Sequence, residues 1–385
     1  MPEIIEKTLE PIKVTQPINN QPSGLLHSKK RPINRLLLLI ICIIASVIVG
    51  IIVSTVVWFN VQLSPVNSKS VQLVKVTILS GSTSVQIGKE LENQSIIRSS
   101  SAFNIYLRIF GKSNILKAGT YRLSPAETVS GIVEHLSKGT TDQFSIMFYP
   151  GATLKDTTDT PRSKKYDITT VLQNAGYSDQ EIEAGLSATY SSPLFEGKPS
   201  SADLEGYVYG ETYNFNTGAT VSNILKGTFD EFYKVVQDND LVKDFASHDL
   251  SLYEGITLAS IVQREINSPQ GNQPSIDQKQ AAQVFYSRLK QGWSLGSDVT
   301  SIYIAHKTGQ EPDYGLASPY NTRISIGLPP GPIAVPGITA LLAVAQPATT
   351  DYWYFLSGDD GTMHFAFNNT GHETNRTNYC KETCK

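Results

Sequence analysis

One segment of this 385-residue chain restricts its fate more than any other: LLLLIICIIASVIVGIIVSTVVWF, residues 36–59, which holds no charged side chain. As a helix rising 1.5 Å per residue it spans roughly 36 Å, enough to cross a hydrocarbon core of about 30 Å with some tilt. The apolar core of a secretory signal runs about 7–15 residues, and no clear small-x-small cleavage site follows here. Trp58 and Phe59 fit an interfacial aromatic belt. Lys29, Lys30, Arg31 and Arg35 precede the run, whereas the next lysines beyond it are Lys69 and Lys75. This asymmetry predicts a single-pass plasma-membrane protein with a cytoplasmic N-terminus and everything after about residue 60 outside.

The remainder reads as globular. Hydrophobic residues make up 40% and charged residues 17%, which suits a sizeable core, and the length predicts two folded units plus extras. A net charge of −3 lacks the basic excess of a nucleic-acid binder. Three cysteines are too few for a disulfide scaffold. Cys42 lies in the apolar run, and pairing of Cys380 with Cys384 is left open.

The expected fold class is α+β. Residues 1–35 read as a disordered cytoplasmic tail, 36–59 as the membrane helix and 60–70 as a linker. Residues 71–140 read as a small α+β module and 141–385 as a larger α+β domain. In the module VQLVKVTIL predicts a strand and TSVQIGKELENQSII a short helix. Ser124, Pro125 and Glu127 spell a capping box ahead of a helix that Gly139 closes. In the larger region LSLYEGITLASIVQREI predicts a central helix, and Ser275 with Gln278 a second capping box. YWYFLSGDDGTMHFAF predicts a β-hairpin.

Three stretches carry candidate chemistry. In LASIVQREINSP, residues 258–269, a helical repeat puts Leu258, Ile261, Val262 and Glu265 within about 100° of one another. A carboxyl among aliphatic neighbours is partly desolvated, which raises its pKa toward what a general acid needs near neutral pH. The plain alternatives are a solvent-facing turn or a pairing with Arg264. In LEGYVYGETYNF, residues 204–215, aromatic rings suited to sugar faces alternate with Glu205 and Glu211; an ordinary aromatic strand is the alternative. YNTRISIGLPPGPIAVPG, residues 320–337, is a long proline- and glycine-rich loop, of the kind that is often functional. His364, His372 and Glu373 have no metal-ligand spacing, and no nucleotide or G-x-S-x-G signature occurs, so neither metal nor cofactor is expected.

Together these stretches resemble the YceG-like family, the MltG-type endolytic murein transglycosylases, over about residues 71–379. The matching segments are KAGTYRLSPAETVSGIVEHLSKG, similar to a LysM-like module, then LEGYVYGETYNF, LASIVQREI, AAQVFYSRLKQGWSLGSDVTSIYIA and SPYNTRISIGLPPGPIAVPGITALLAVAQPATTDYWYFL. The resemblance implies that Glu265 is the catalytic acid, as the second acid of an E-[KR]-E tripeptide whose first acid is Gln263 here. Gly210 and Ser287 also depart from the pattern. The implied substrate is the peptidoglycan glycan strand, cut between N-acetylmuramic acid and N-acetylglucosamine to leave a 1,6-anhydro end. Glu211 and Asp298 are candidates to stabilise positive charge at the anomeric carbon, Asn321 to hold an acetamido group or orient Glu265, and Tyr213 and Tyr320 to line sugar subsites. Penicillin-binding synthases are the implied partners. A non-catalytic peptidoglycan-binding scaffold, favoured by Gln263, and a true hydrolase are the other readings.

Overall fold

In the computed structural model residues 35–139, 143–156, 166–266 and 271–382 are described. The expected tail with Lys29, Lys30 and Arg31, the start of the loop after Glu265 (267–270) and Cys384 lie outside the described residues.

The chain divides at Trp58 and Phe59. The first unit is most of helix α1 (Arg35–Leu63), whose stretch Leu36–Leu63 contains an 18-residue window of mean hydropathy 3.5 and is long and apolar enough to cross a membrane. From Leu36 to Trp58 its side chains are exposed all round, as a lipid-facing helix requires. The helix runs past Phe59 to Leu63, so the start of the expected linker is helical. Pro65 then disfavours helical backbone at Ser64 and ends it.

The second unit holds two hydrophobic cores. The smaller belongs to β1 (Val74–Ile78), α2 (Ser84–Asn93), α3 (Ser100–Ile109), β2 (Gly119–Leu123) and α4 (Val129–Lys138). β1 and β2 pair antiparallel with Val76 opposite Tyr121, and both side chains are buried with Leu91, Phe103, Leu107, Ile132 and Leu136. One capping expectation changes here. The Ser124 N–H does donate to Glu127 Oε1 at 2.8 Å, but the pair closes a turn. The helix starts at Val129, capped by Thr128, whose hydroxyl accepts from Gly131 N–H. Pro125 therefore sits in that turn and not at the first helical position. Thr128 offers a cap directly ahead of Val129, Ile132, Val133 and Leu136, the buried helical stripe.

The larger core is mostly helical. β3 (Gln143–Met147) pairs antiparallel with β4 (Thr212–Asn216). α5 (Ile168–Asn174), α6 (Asp179–Leu186), α7 (Val221–Asp238) and α8 (Leu241–Ala246) follow, then α9 (Leu252–Glu265), α10 (Ile276–Lys290), α11 (Asp298–Thr308) and α12 (Ile338–Ala345). The hairpin β5 (Tyr354–Ser357) and β6 (Met363–Ala366) precedes α13 (Asn369–Tyr379). α9 sits at the centre, packed by α8, α10, α11 and α12. Every residue from Gly255 to Val262 is buried, so this is a core helix rather than a surface one. Ser251 and Glu254 cap its start reciprocally, and Ser275 with Gln278 do the same for α10.

Polar keys lock the two cores together. Arg122 on β2 is buried, donates to Ala175 O, and lies over the rings of Tyr177 (3.9 Å) and Phe144 (4.5 Å). Leu73 N–H donates to Asn174 O at 2.6 Å, and Lys75 pairs with Glu181 at 2.8 Å. The candidate histidines serve structure too: His364 meets Asp360 at 3.0 Å, and His372 stacks on Tyr354.

Gly206 shows why the Leu204–Gly206 turn admits no side chain. Its φ is +84°, and a Cβ there would fall 2.4 Å from Pro332 Cβ in the proline-rich loop. Both the left-handed backbone and the close approach demand glycine. Gly206→Ala should therefore cost about 2–4 kcal/mol, read as a lowered denaturation midpoint of the full chain in detergent.

Candidate active site

Glu265 is the last residue of α9, and the aliphatic face predicted for it forms: Leu258, Ile261 and Val262 are wholly buried. Ile266 turns the chain into extended backbone immediately afterwards. The carboxyl is half-buried at a helix C-terminus, where the backbone dipole disfavours negative charge. Arg264 turns away and donates to Gly151 O at 3.1 Å.

The nearest partner is Ser297, whose hydroxyl donates a short hydrogen bond to Glu265 Oε1. Ser297 stands at the cap position of α11 but makes no side-chain cap there, because its hydroxyl is committed to the acid. Its backbone is held on both sides. Its N–H donates to Thr322 Oγ1 at 3.1 Å, and its carbonyl accepts from Thr300 Oγ1 at 2.8 Å and Thr322 Oγ1 at 3.2 Å. A buried knot of hydroxyls thus fixes the donor.

Burial pushes the Glu265 carboxyl up to about 7. The Ser297 bond lowers it, the Asp298 charge raises it, and the Arg288 charge lowers it. Arg288, on α10, is held by backbone carbonyls: Nε and Nη2 donate to Trp353 O at 3.0 and 2.7 Å, and Nη1 to Leu295 O at 2.5 Å. Gly296 lets the chain pass that guanidinium, with φ +65° and a virtual Cβ 2.9 Å from Nη1. The result is a carboxyl able to hold a proton near neutral pH and release it.

The proline-rich loop is fastened to the same helix. Tyr253 OH donates to Pro330 O at 2.7 Å, Ile333 N–H to Ser260 Oγ at 3.0 Å, and Gly337 N–H to Gln263 Oε1 at 2.9 Å. Glu205 ties in the tyrosine-rich segment. It is buried, accepts from Leu154 N–H at 2.9 Å and from Tyr303 OH at 3.3 Å, and meets Lys307 at 3.2 Å. Burial pushes its carboxyl up, and Lys307 pulls it back. Glu205 is therefore a buried latch that ties its segment to Leu154 and α11.

The other candidates divide. Asp298 is close enough to act on Glu265 electrostatically and pairs with Arg323. Tyr320 packs on Tyr303 at 5.3 Å beside Gly331. Asn321 is wholly buried and its amide is used within the loop. Nδ2 donates to Tyr314 O and Leu316 O, and Oδ1 accepts from Ser301 Oγ and Arg323 N–H. It shapes the loop and neither reaches Glu265 nor faces outward. Glu211 is exposed, with its carboxylate on Thr212 N–H at 2.9 Å, and is not among the charges acting on Glu265. Tyr213 donates to Tyr209 O and stacks on Phe215 in β4. The segment's first half is buried against α11 and the proline-rich loop, and its second half leaves as a strand. Sequence alone does not single out Ser297 and Arg288. Their signal, a hydroxyl and a cation inside the matching QVFYSRLKQGWSLGSD stretch, gains meaning only once α10 and α11 meet the end of α9.

The YceG-like family matches residues 76–378. An endolytic murein transglycosylase of Bacillus subtilis (strain 168) is 30% identical over 316 residues, covering 79% of this chain and 84% of that protein. One of Streptococcus pneumoniae (strain D39) is 26% identical over 340 residues, covering 82% of this chain, which spans 60% of the streptococcal protein's length. The crystal structure of a yceG-like protein from Listeria monocytogenes aligns with TM-score 0.48 and 25% identity, over 79% of this chain and 99% of that one.

The raised Glu265 pKa has a stability consequence. Between the ordinary 4.5 and about 7 the folded chain retains a proton that the unfolded chain has released, so stability falls as pH rises through that window. Glu265→Gln removes this contribution. Thermal melts from about pH 5 to 8 should show the wild type losing ground to the variant as pH increases, with no further divergence above the window.

Proposed function

The chain belongs to the YceG-like family and is a murein transglycosylase; we propose that it is membrane-anchored, cuts glycan strands endolytically, and uses Glu265 as its single acid and base. The observation that carries this reading is the Glu265 carboxyl, half-buried at the end of a core helix and held by the Ser297 hydroxyl.

Most glycosidases divide the work between two carboxyl groups. Here the protonated Glu265 gives its proton to the glycosidic oxygen as the bond to the muramyl anomeric carbon breaks. The resulting carboxylate takes the proton of the muramyl 6-hydroxyl as that oxygen closes on the anomeric carbon. No water is consumed, the 1,6-anhydro end forms, and Glu265 is protonated again. A pKa near the working pH suits both half-steps. Ser297 holds the carboxyl in line through the cycle. Asp298 supplies the anionic charge nearest the acid as positive charge develops on the sugar. Tyr320 lines a sugar subsite, while Asn321 acts by fixing the loop.

The apolar helix supports anchoring, and the lysine and arginine asymmetry around it supports an outward-facing enzyme domain. Tethering raises the effective concentration near nascent strands, beside penicillin-binding synthases as partners. The β-α-α-β order of the small module supports a LysM-like, glycan-aligning role.

Glu265→Gln should lower release of anhydro-ended products from purified glycan strands by at least ~100-fold while the protein stays folded. Mass spectrometry of the soluble products checks this; reducing ends would instead identify a hydrolase. Because the acid must enter protonated, kcat/KM should fall above about pH 7. Ser297→Ala removes a bond that favours the ionised carboxylate, so this alkaline limb should move to higher pH as the rate at the optimum drops. An unmoved limb would dissociate Ser297 from the acid.

A further inference from the structure

The segment leading into Ser297 carries a feature that the acid–base chemistry does not use. Trp293 is 46% exposed, a large amount for a side chain of this size. Its ring packs against Trp353 with centroids 4.9 Å apart and planes tilted by 51°. The pair is fixed from below by one residue. Trp293 N–H donates to Arg288 O at 2.9 Å, and the Arg288 guanidinium grips Trp353 O. That same guanidinium acts on Glu265. Ser294, next to Trp293, bridges Ile326 and Gly327 of the proline-rich loop, and the Ile326 side chain is 69% exposed.

Trp293 and Ser297 are four positions apart in the chain, so their Cα atoms lie at most ~14 Å apart. A half-exposed indole thus sits on the same short segment as Ser297, which holds the Glu265 carboxyl. Pyranose rings present a face of C–H bonds that packs against an aromatic ring, and a repeating polysaccharide places neighbouring sugars along such a segment. Aromatic side chains supply that contact area with little conformational entropy to lose.

We propose that Trp293, backed by Trp353, is a glycan-stacking subsite for a sugar of the strand that flanks the bond cut at Glu265. This rests on the transglycosylase reading above. The occupant is the polysaccharide itself: Trp293 lies on the segment that carries Ser297, and Arg288 joins both tryptophans to the surroundings of Glu265. Trp293 touches substrate without touching the reacting atoms, so its loss weakens strand binding and raises KM more than it lowers kcat.

The chain has three tryptophans, and Trp58 lies in the apolar helix, so Trp58→Phe leaves an emission belonging to Trp293 and Trp353. The test uses the full chain in detergent with Trp58→Phe and Glu265→Gln, titrated with peptide-free glycan strands prepared from peptidoglycan. Strands should change the emission and shield it from acrylamide. Adding Trp293→Ala should weaken binding about fivefold, and Trp293→Tyr should restore most of it. Shielding is read without altering Trp293, so it decides even where the alanine variant melts early. Strand binding with unchanged acrylamide access, or with Trp293→Ala inside twofold of its parent, overturns the subsite and leaves the transglycosylase standing. A wild type that releases no anhydro ends overturns both.

Discussion

A carboxyl group lodged at the C-terminal end of a helix that is buried on every side is the constraint around which this enzyme is built. Three influences oppose its ionisation: removal from water, the helix dipole and Asp298. Two favour it, the Ser297 hydroxyl and the half-buried Arg288 charge. The opposing set prevails, burial above all, and the favouring pair limits the rise so that the group stays poised near neutral pH. Each favouring partner arrives on a different helix, Ser297 at the head of α11 and Arg288 along α10. The carboxyl therefore has this environment only when both helices are docked on α9, and the packing of the larger core sets its protonation.

How much of this the sequence discloses depends on the range of the interactions involved. The aliphatic face of α9 and the position of Glu265 on it follow from helical periodicity, because i, i+3, i+4 and i+7 spacing is local. The capping box at Ser275 forms for the same reason. At Ser124 the same local signal instead closes a turn, since Thr128 stands immediately before the buried stripe. Partners from afar are not legible in this way. Ser297 is 32 residues from Glu265 along the chain, and nothing about a serine before an aspartate distinguishes a hydroxyl that caps its own helix from one committed elsewhere. Glu205 and Glu211 look alike in LEGYVYGETYNF. Yet one is a buried latch on Lys307 and the other is an exposed residue at the edge of β4. Asn321 misleads for a related reason: a polar side chain in a loop resembles a ligand-binding group, but a long loop without regular structure needs its own backbone groups satisfied from within.

Gln263 makes the same point from the opposite direction. As a departure from an acidic tripeptide it reads as a sign of weakened chemistry. In the fold its Oε1 accepts from Gly337 N–H, at the head of α12, where the glycine supplies no cap of its own. A glutamate could make the identical bond with an anionic oxygen. Glutamine retains the geometry, and with it the seat of the proline-rich loop, while removing one negative charge two residues from the acid. A further anion there would oppose ionisation of Glu265, so its absence lets the buried carboxyl release its proton more readily. The substitution thus adjusts the balance set by Asp298 and Arg288 without disturbing the bond to Gly337, so a lost acid at position 263 leaves the Glu265 carboxyl and its partners in place.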